Sequence, residues 1–185
     1  MLTGNDLETK EAGRLLFRKP LAGDGPGIYA LADRSKPLDL NSRYCYLILC
    51  EHFASTCVVA ERQEQIVGFM TGYILPDRRD TLFIWQIAVD ADMRGKGLAK
   101  KMLRHLLARP ILKGIRYIEA TVNPSNDASR ALFRSLARDC LVELSETMLF
   151  PAEWFGTGDH EQENLIRVGP IGPVSKTMIG GTQPL

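Results

Sequence analysis

The chain is expected to fold as a mixed α/β (α+β) domain, with a central mixed sheet and helices on both faces. Three observations predict this. Short β-branched stretches carry continuous or alternating apolar residues, and longer stretches carry apolar residues at helical spacing. Three strands follow one another over residues 57–89, and strand and helix alternate after them. The length, 185 residues, fits one domain, since domains run to about 100–200 residues. We place that domain at residues 1–170 and a flexible tail, rich in Gly, Pro, Ser and Thr, at 171–185.

The elements follow in order. Residues 14–18 read as a first strand and 24–32 as a short helix with Ile28, Leu31 and Ala32 on one face. A second helix is expected over 38–53, where Leu40, Tyr44, Leu47 and Ile48 repeat at helical spacing and Asn41 or Ser42 is the N-cap. Residues 57–61 and 66–75 form a hairpin across the polar turn Arg62-Gln63-Glu64-Gln65. Residues 81–89 are nearly continuously apolar, as in a strand buried on both faces. A helix over 97–108 shows Leu98, Met102, Leu103, Leu106 and Leu107 to the core, and Pro110 helps to end it. A strand over 116–122, a helix over 128–137 and a strand within 141–150 come next. Residues 156–163 are a polar loop, and 165–168 add an optional final strand.

The chemistry concentrates where the 81–89 strand meets the next helix. After Trp85-Gln86-Ile87-Ala88-Val89 comes an acidic turn, then Arg94-Gly95-Lys96-Gly97-Leu98-Ala99. The first turn of a helix offers unpaired N–H groups and partial positive charge. Glycine lets a phosphate approach the backbone closely, and Arg94 and Lys96 add charge beside it. The segment therefore suits a pyrophosphate, although a plain strand-to-helix turn would also use glycines. It has neither the GxxxxGK[ST] of a P-loop nor GxGxxG; it fits Q/R-x-x-G-x-G/A through Arg94, Gly97 and Ala99.

Composition narrows the remaining classes. A net charge of +1 gives no electrostatic reason to expect nucleic acid or an anionic membrane as a partner. No apolar run reaches the roughly 18 residues of a membrane span, and the N-terminal segment has no signal-peptide pattern. Cys45, Cys50, Cys57 and Cys140 form no CxxC pair and show no ligand spacing with His52, His105 or His160. Reduced thiols in a cytoplasmic protein without a metal are expected. A covalent route through a cysteine is disfavoured, since no activating histidine is evident beside any of them.

With these residues in view, the chain resembles the GNAT superfamily of acetyltransferases over residues 14–150. The glycine loop matches its coenzyme motif, and Asn126-Asp127-Ala128-Ser129-Arg130-Ala131-Leu132-Phe133 resembles its second signature, N-x-x-A-x-x-L-[YF]. The resemblance implies an acyl-CoA N-acyltransferase fold and acetyl-CoA as co-substrate. It implies that the 81–89 and 116–122 strands splay to admit the pantetheine arm. The coenzyme-binding residues it points to are Ile87, Ala88, Val89, Arg94, Gly95, Lys96, Gly97, Leu98, Ala99, Asn126, Ala128 and Phe133. Many members have a tyrosine at the position of Phe133, whose hydroxyl protonates the departing thiolate. Phe133 cannot, so that proton comes from water or another group, or the thiolate leaves as a stabilised anion. Packing of its helix is the expected role of Phe133.

Further segments are similar to one branch of that superfamily, the L-2,4-diaminobutyrate N4-acetyltransferases of ectoine biosynthesis. They are Leu38-Asp39-Leu40-Asn41-Ser42-Arg43-Tyr44, Asp80-Thr81-Leu82-Phe83-Ile84-Trp85-Gln86, Tyr117-Ile118-Glu119-Ala120-Thr121-Val122-Asn123 and the late His160-Glu161. The branch implies a homodimer, no metal, and direct transfer in a ternary complex. An alkyl ammonium has a pKa near 10, so a base or water chain must deprotonate it. Glu119, in mid-strand, is the first choice for that base, and a paired or solvated strand carboxylate is the alternative. Asp39 is either the counter-ion of the unreactive amine or a helix-start carboxylate. Asn41, Tyr44 and Asn123 are candidates to bind the amine or the carboxylate. Trp85 is an apolar wall or a core residue. The branch makes His160, in a polar loop expected to close over the site, the second catalytic candidate, with a surface histidine as the alternative. Two rival readings stand: a GNAT enzyme for another amine, including a protein N-terminus, and a non-catalytic acetyl-CoA-binding module.

Overall fold

The computed structural model describes residues 14–156, 158 and 160–172; of the expected tail over 171–185, residues 173–185 lie outside them, while Ile171 is buried. The chain divides into two compact units, one of residues 14–71 and 86–106 and the other of 72–85 and 107–172. The elements are β1 (Leu16–Arg18), α1 (Gly25–Asp33), α2 (Arg43–His52), β2 (Val58–Arg62), β3 (Gln65–Ile74), β4 (Thr81–Val89), α3 (Leu98–Leu107), β5 (Tyr117–Val122), α4 (Asp127–Cys140), β6 (Leu144–Phe150) and β7 (Glu163–Val168). Seven strands form one sheet in the order β1-β2-β3-β4-β5-β7-β6. β1, β2 and β3 are antiparallel, β4 and β5 are parallel, and β7 is antiparallel to both β5 and β6.

In the first unit the sheet is covered on both sides. Val59 pairs with Phe69, and both join Ile28, Leu31, Tyr46 and Leu49 of α1 and α2 in one buried cluster. The neighbouring residue Gly68 points to the opposite face, since strand side chains alternate. A Cβ there would lie 3.2 Å from the Met102 thioether of α3, so the missing side chain lets that helix sit close. The second helix starts later than its apolar spacing predicts, because Ser42 caps it by accepting from the Cys45 N–H at 3.2 Å. Residues 38–42 are left as an extended approach. The β2–β3 hairpin turns through Gln63 (φ 51°) and Glu64 (φ 61°), the left-handed pair of a two-residue primed turn.

In the second unit, alternation sorts the strands. Ile118, Ala120 and Val122 are buried on one face with Ile166 and Val168. Tyr117, Glu119 and Thr121 share the other with Arg167 and Leu165. The segment read as an optional final strand is in fact internal: β7 lies between β5 and β6. Its two apolar positions facing the core, Ile166 (1% exposed) and Val168 (0%), account for that placement. Helix α4 runs past its expected end at 137 to Cys140 and stops at Leu141, which takes a left-handed conformation (φ 54°). No described helix is long and apolar enough to cross a membrane.

Candidate active site

The glycine loop belongs to the first unit. After β4, Asp90 accepts from the Asp92 N–H at 3.2 Å and from the Arg34 guanidinium at 2.9 Å. The Arg34 hydrogen bond holds the Asp90 carboxyl below its ordinary range, outweighing its desolvation. A single 3-10 turn (Ala91–Met93) then drops Met93 into the core. Arg94 Nε donates back to the Val89 carbonyl at 3.1 Å. Gly95 (φ 72°) and Gly97 (φ 71°) are both left-handed, and no atom lies within 4 Å of a Cβ built on either. Two left-handed residues flanking Lys96 turn the backbone into a shallow cradle at the start of α3. Arg94, Lys96 and both glycines are exposed, Ala99 is half-buried, and Leu98 is in the core. Of the β4 residues, Ala88 is buried, and Ile87 and Val89 are half-buried. The cradle fits a pyrophosphate by its conformation, its open space and its charge.

A buried polar chain fixes the approach to α2 in the same unit. Tyr46 donates its hydroxyl hydrogen to Gln86 Oε1 at 3.1 Å, and Gln86 Nε2 donates to the Asp39 carbonyl at 2.7 Å. The Asn41 N–H donates to the Tyr46 hydroxyl oxygen at 3.4 Å. Tyr46 is 0% and Gln86 4% exposed, so the chain sits in the interior while the Asp39 side chain and Tyr44 stay exposed. Asn41 is half-buried. Sequence reasoning did not single out Tyr46 and Gln86; a glutamine inside an apolar strand was the signal.

The second unit holds the remaining candidates. Glu119 is 1% exposed. It accepts from Arg78 Nη1 at 2.6 Å and Nη2 at 2.8 Å, and from Arg167 Nη1. It is a buried strand carboxylate paired with two guanidiniums. The Glu119 carboxylate in turn raises the Arg78 guanidinium above its ordinary range. Arg167 lies over the Tyr117 ring, 3.7 Å from its centroid. Neither arginine stands out in the sequence, because Arg78 is in a charged loop and Arg167 in a strand read as optional. The β4–β5 ladder pairs Thr81 with Tyr117, Leu82 with Ile118 and Phe83 with Glu119. Trp85 follows on the same face as Phe83 and is 40% exposed, so it is not a core residue.

The turn after β5 is tied to the late loop. Asn126 caps α4 by accepting from the Ser129 N–H at 3.1 Å, which leaves its side-chain NH₂ as a donor. The Ser125 N–H donates to Glu161 at 3.2 Å, and the Ser125 hydroxyl donates to the other Glu161 oxygen. That contact joins the turn holding half-buried Asn123 to the loop that carries His160. His160 stacks on Phe155 with centroids 3.9 Å apart, and its Nδ1 lies 2.6 Å from the Glu161 carbonyl. The carbonyl can only accept, so Nδ1 carries a proton. Phe133 is 1% exposed and packs in the interior, while Ala128 is exposed.

The units thus carry separate shares of the candidates. Asp39, Asn41, Tyr44 and the glycine loop lie in the first, and Trp85, Glu119, Asn123, Asn126 and His160 lie in the second. No disulfide joins the cysteines, and burial pushes the Cys50 thiol up to about 12 and raises that of Cys45. Neither is a nucleophile at neutral pH. Among the described residues, no group of three or more His, Cys, Asp or Glu side chains is placed to hold a metal ion.

Comparison with known proteins identifies the family. The profile of the acetyltransferase (GNAT) family matches residues 26–137. The chain is 46% identical over 155 residues to an L-2,4-diaminobutyric acid acetyltransferase of Halalkalibacterium halodurans, covering 84% of this chain and 82% of that one. It is 43% identical over 171 residues to the protein of the same name from Marinococcus halophilus, covering 89% and 99%. Among solved structures, diaminobutyrate acetyltransferase EctA from Paenibacillus lautus, in complex with its substrate L-2,4-diaminobutyric acid and coenzyme A, superposes with a TM-score of 0.83. It shares 41% identity and covers 85% of this chain and 96% of that chain. The chain belongs to the GNAT family of acetyltransferases, among the L-2,4-diaminobutyric acid acetyltransferases.

Proposed function

We propose that this chain transfers the acetyl group of acetyl-CoA to the 4-amino group of L-2,4-diaminobutyrate, giving N4-acetyl-L-2,4-diaminobutyrate for ectoine biosynthesis. The observation that carries this is the 46% identity to a diaminobutyric acid acetyltransferase over 84% of the chain, joined to a left-handed glycine cradle at the start of α3. Acetyl-CoA supplies the activated acyl group. Arg94, Gly95, Lys96, Gly97, Leu98 and Ala99 hold its pyrophosphate, and the Asn126 NH₂ donates to the coenzyme from the head of α4. Backbone N–H groups over Ile87, Ala88 and Val89 steady the thioester oxygen.

Asp39 is the counter-ion of the ammonium that does not react. Asn41, Tyr44 and Asn123 give hydrogen bonds to the polar ends of the acceptor, and Trp85 lines its four-carbon chain. The reacting ammonium loses its proton to Glu119 through water, because both Glu119 oxygens already accept from guanidinium groups. His160 is the second group in that relay. Since Phe133 has no hydroxyl, water protonates the thiolate. The chain acts in the cytoplasm as a homodimer in the response to osmotic stress.

Coenzyme A release measured with 2,4-diaminobutyrate, lysine, ornithine and a peptide tests this reading. We expect 2,4-diaminobutyrate to have the highest kcat/KM. A peptide preference would remove the proposed acceptor, and no turnover despite tight acetyl-CoA binding would leave a binding module. The oligomer is checked by sedimentation equilibrium, where a monomer at assay concentration would contradict the dimer.

A further inference from the structure

The Arg78–Glu119–Arg167 cluster has more positive charge than burial of its carboxylate needs. One bidentate guanidinium is enough to partner a buried carboxylate. Glu119, 1% exposed, has such a fork from Arg78 and a second donor from Arg167. Two guanidiniums face the one buried carboxylate, and Asp80 adds a weaker Coulombic attraction to Arg78. The Arg78 side chain is 47% exposed, that of Arg167 29% and that of Glu119 1%, so the two guanidiniums meet solvent while the carboxylate does not.

Both cations are held in advance. The Glu119 carboxylate fixes the plane of Arg78, and the Tyr117 ring lies flat under Arg167 at 3.7 Å. A guanidinium has five N–H donors in a rigid fork. Arg78 places two of them on Glu119, which leaves three. Fixed forks with N–H donors to spare are complementary to a further carboxylate, the planar two-oxygen anion that arginine recognises best. The location adds an apolar neighbour. Glu119 is the β5 partner of Phe83, and Trp85 lies two residues further on the same face of β4, 40% exposed. An exposed indole beside a fixed cation pair suits an alkyl chain that ends in a carboxylate.

We propose that Arg78 and Arg167, held by Glu119, are the subsite for the α-carboxylate of the acceptor. The proposal rests on the diamino acid reading above and extends it, because Asn41, Tyr44 and Asn123 bear no charge to match that group. Arg78 and Arg167 select the acceptor, and Glu119 is their positioning residue in addition to its part in the proton relay.

The test compares 2,4-diaminobutyrate with 1,3-diaminopropane, the same amine without its carboxylate. The ratio of their kcat/KM values is measured for the unaltered chain, Arg78→Gln, Arg167→Gln and Arg78→Lys. Calorimetric binding of each amine to the coenzyme A complex is measured in parallel. The unaltered chain should prefer the diamino acid. Arg78→Gln should reduce that preference roughly 10- to 100-fold, the size expected for lost hydrogen bonds to a charged group. Arg167→Gln should reduce it in the same direction, and calorimetry should show that the diamino acid loses more affinity than the diamine in each variant. Arg78→Lys keeps the charge without the fork and should fall between. It decides the matter if the melting temperature shows that Arg78→Gln does not fold. An unaltered chain that prefers the diamino acid, with variants that keep the preference or lose both acceptors equally, overturns the subsite alone. An unaltered chain that acetylates neither amine overturns the diamino acid reading and the subsite with it.

Discussion

Glu119 has two roles that one substitution separates. Glu119→Gln keeps the shape and removes the charge. If it relays the proton, kcat falls by roughly 10²-fold or more, as for loss of a general base. If it only positions the arginines, KM for the acceptor rises and kcat is retained, so steady-state kinetics on 2,4-diaminobutyrate decides between them. Gln86 makes a different case, because its partners are internal. Gln86→Leu leaves the Tyr46 hydroxyl without its acceptor and removes the donor to the Asp39 carbonyl. Unsatisfied buried polar groups cost about 1–3 kcal/mol each, so urea unfolding should show a loss of that order. KM for the acceptor should rise with it, since the Asp39 segment loses its anchor. Asp39→Asn should also raise that KM; an unchanged KM would make Asp39 purely structural.

The loop before α3 depends on backbone conformation more than on contacts. Gly97→Ala meets no atom within 4 Å, yet places a Cβ on a residue at φ 71°. A non-glycine residue there costs roughly 1–2 kcal/mol. We expect KM for acetyl-CoA to rise about tenfold, with little change in the far-UV spectrum. An unchanged KM would remove Gly97 from the cradle.

Loops of this kind are legible in sequence because the glycines and the flanking charges are local signals. The same holds for β4, whose bounds at Thr81 and Val89 match the apolar run. Signals that depend on distant partners were not legible. The start of α2 at Arg43 follows from the Ser42 cap, whereas apolar spacing alone extends it back to Leu38. The place of β7 beside β5 is a pairing of residues far apart in the chain, as in Glu119 with Arg167. For the same reason the arginines that hold Glu119 could not be named from its strand: Arg78 and Arg167 lie 41 and 48 residues away.

At the scale of the whole molecule, stability in acid should follow Asp24. Its burial opposes ionisation, but hydrogen bonds from Arg18 at 2.6 and 2.8 Å and from the Leu21 N–H at 2.7 Å outweigh that. They hold the carboxyl below its ordinary value of 3.8. A depressed folded pKa adds stability above the unfolded value, and that stability is lost as pH falls through the folded one. The difference in unfolding free energy between the unaltered chain and Asp24→Asn should therefore shrink as pH falls below about 4. A pH-independent difference would contradict the role of the pair.

The central claim is that the glycine cradle and its neighbours serve transfer to a small diamino acid. The most direct measurement is the rate of coenzyme A release from acetyl-CoA with L-2,4-diaminobutyrate, with identification of the acetylated nitrogen. We predict saturable turnover with the acetyl group on N4. Acetylation of the α-amine, or no release while acetyl-CoA binds, would contradict it.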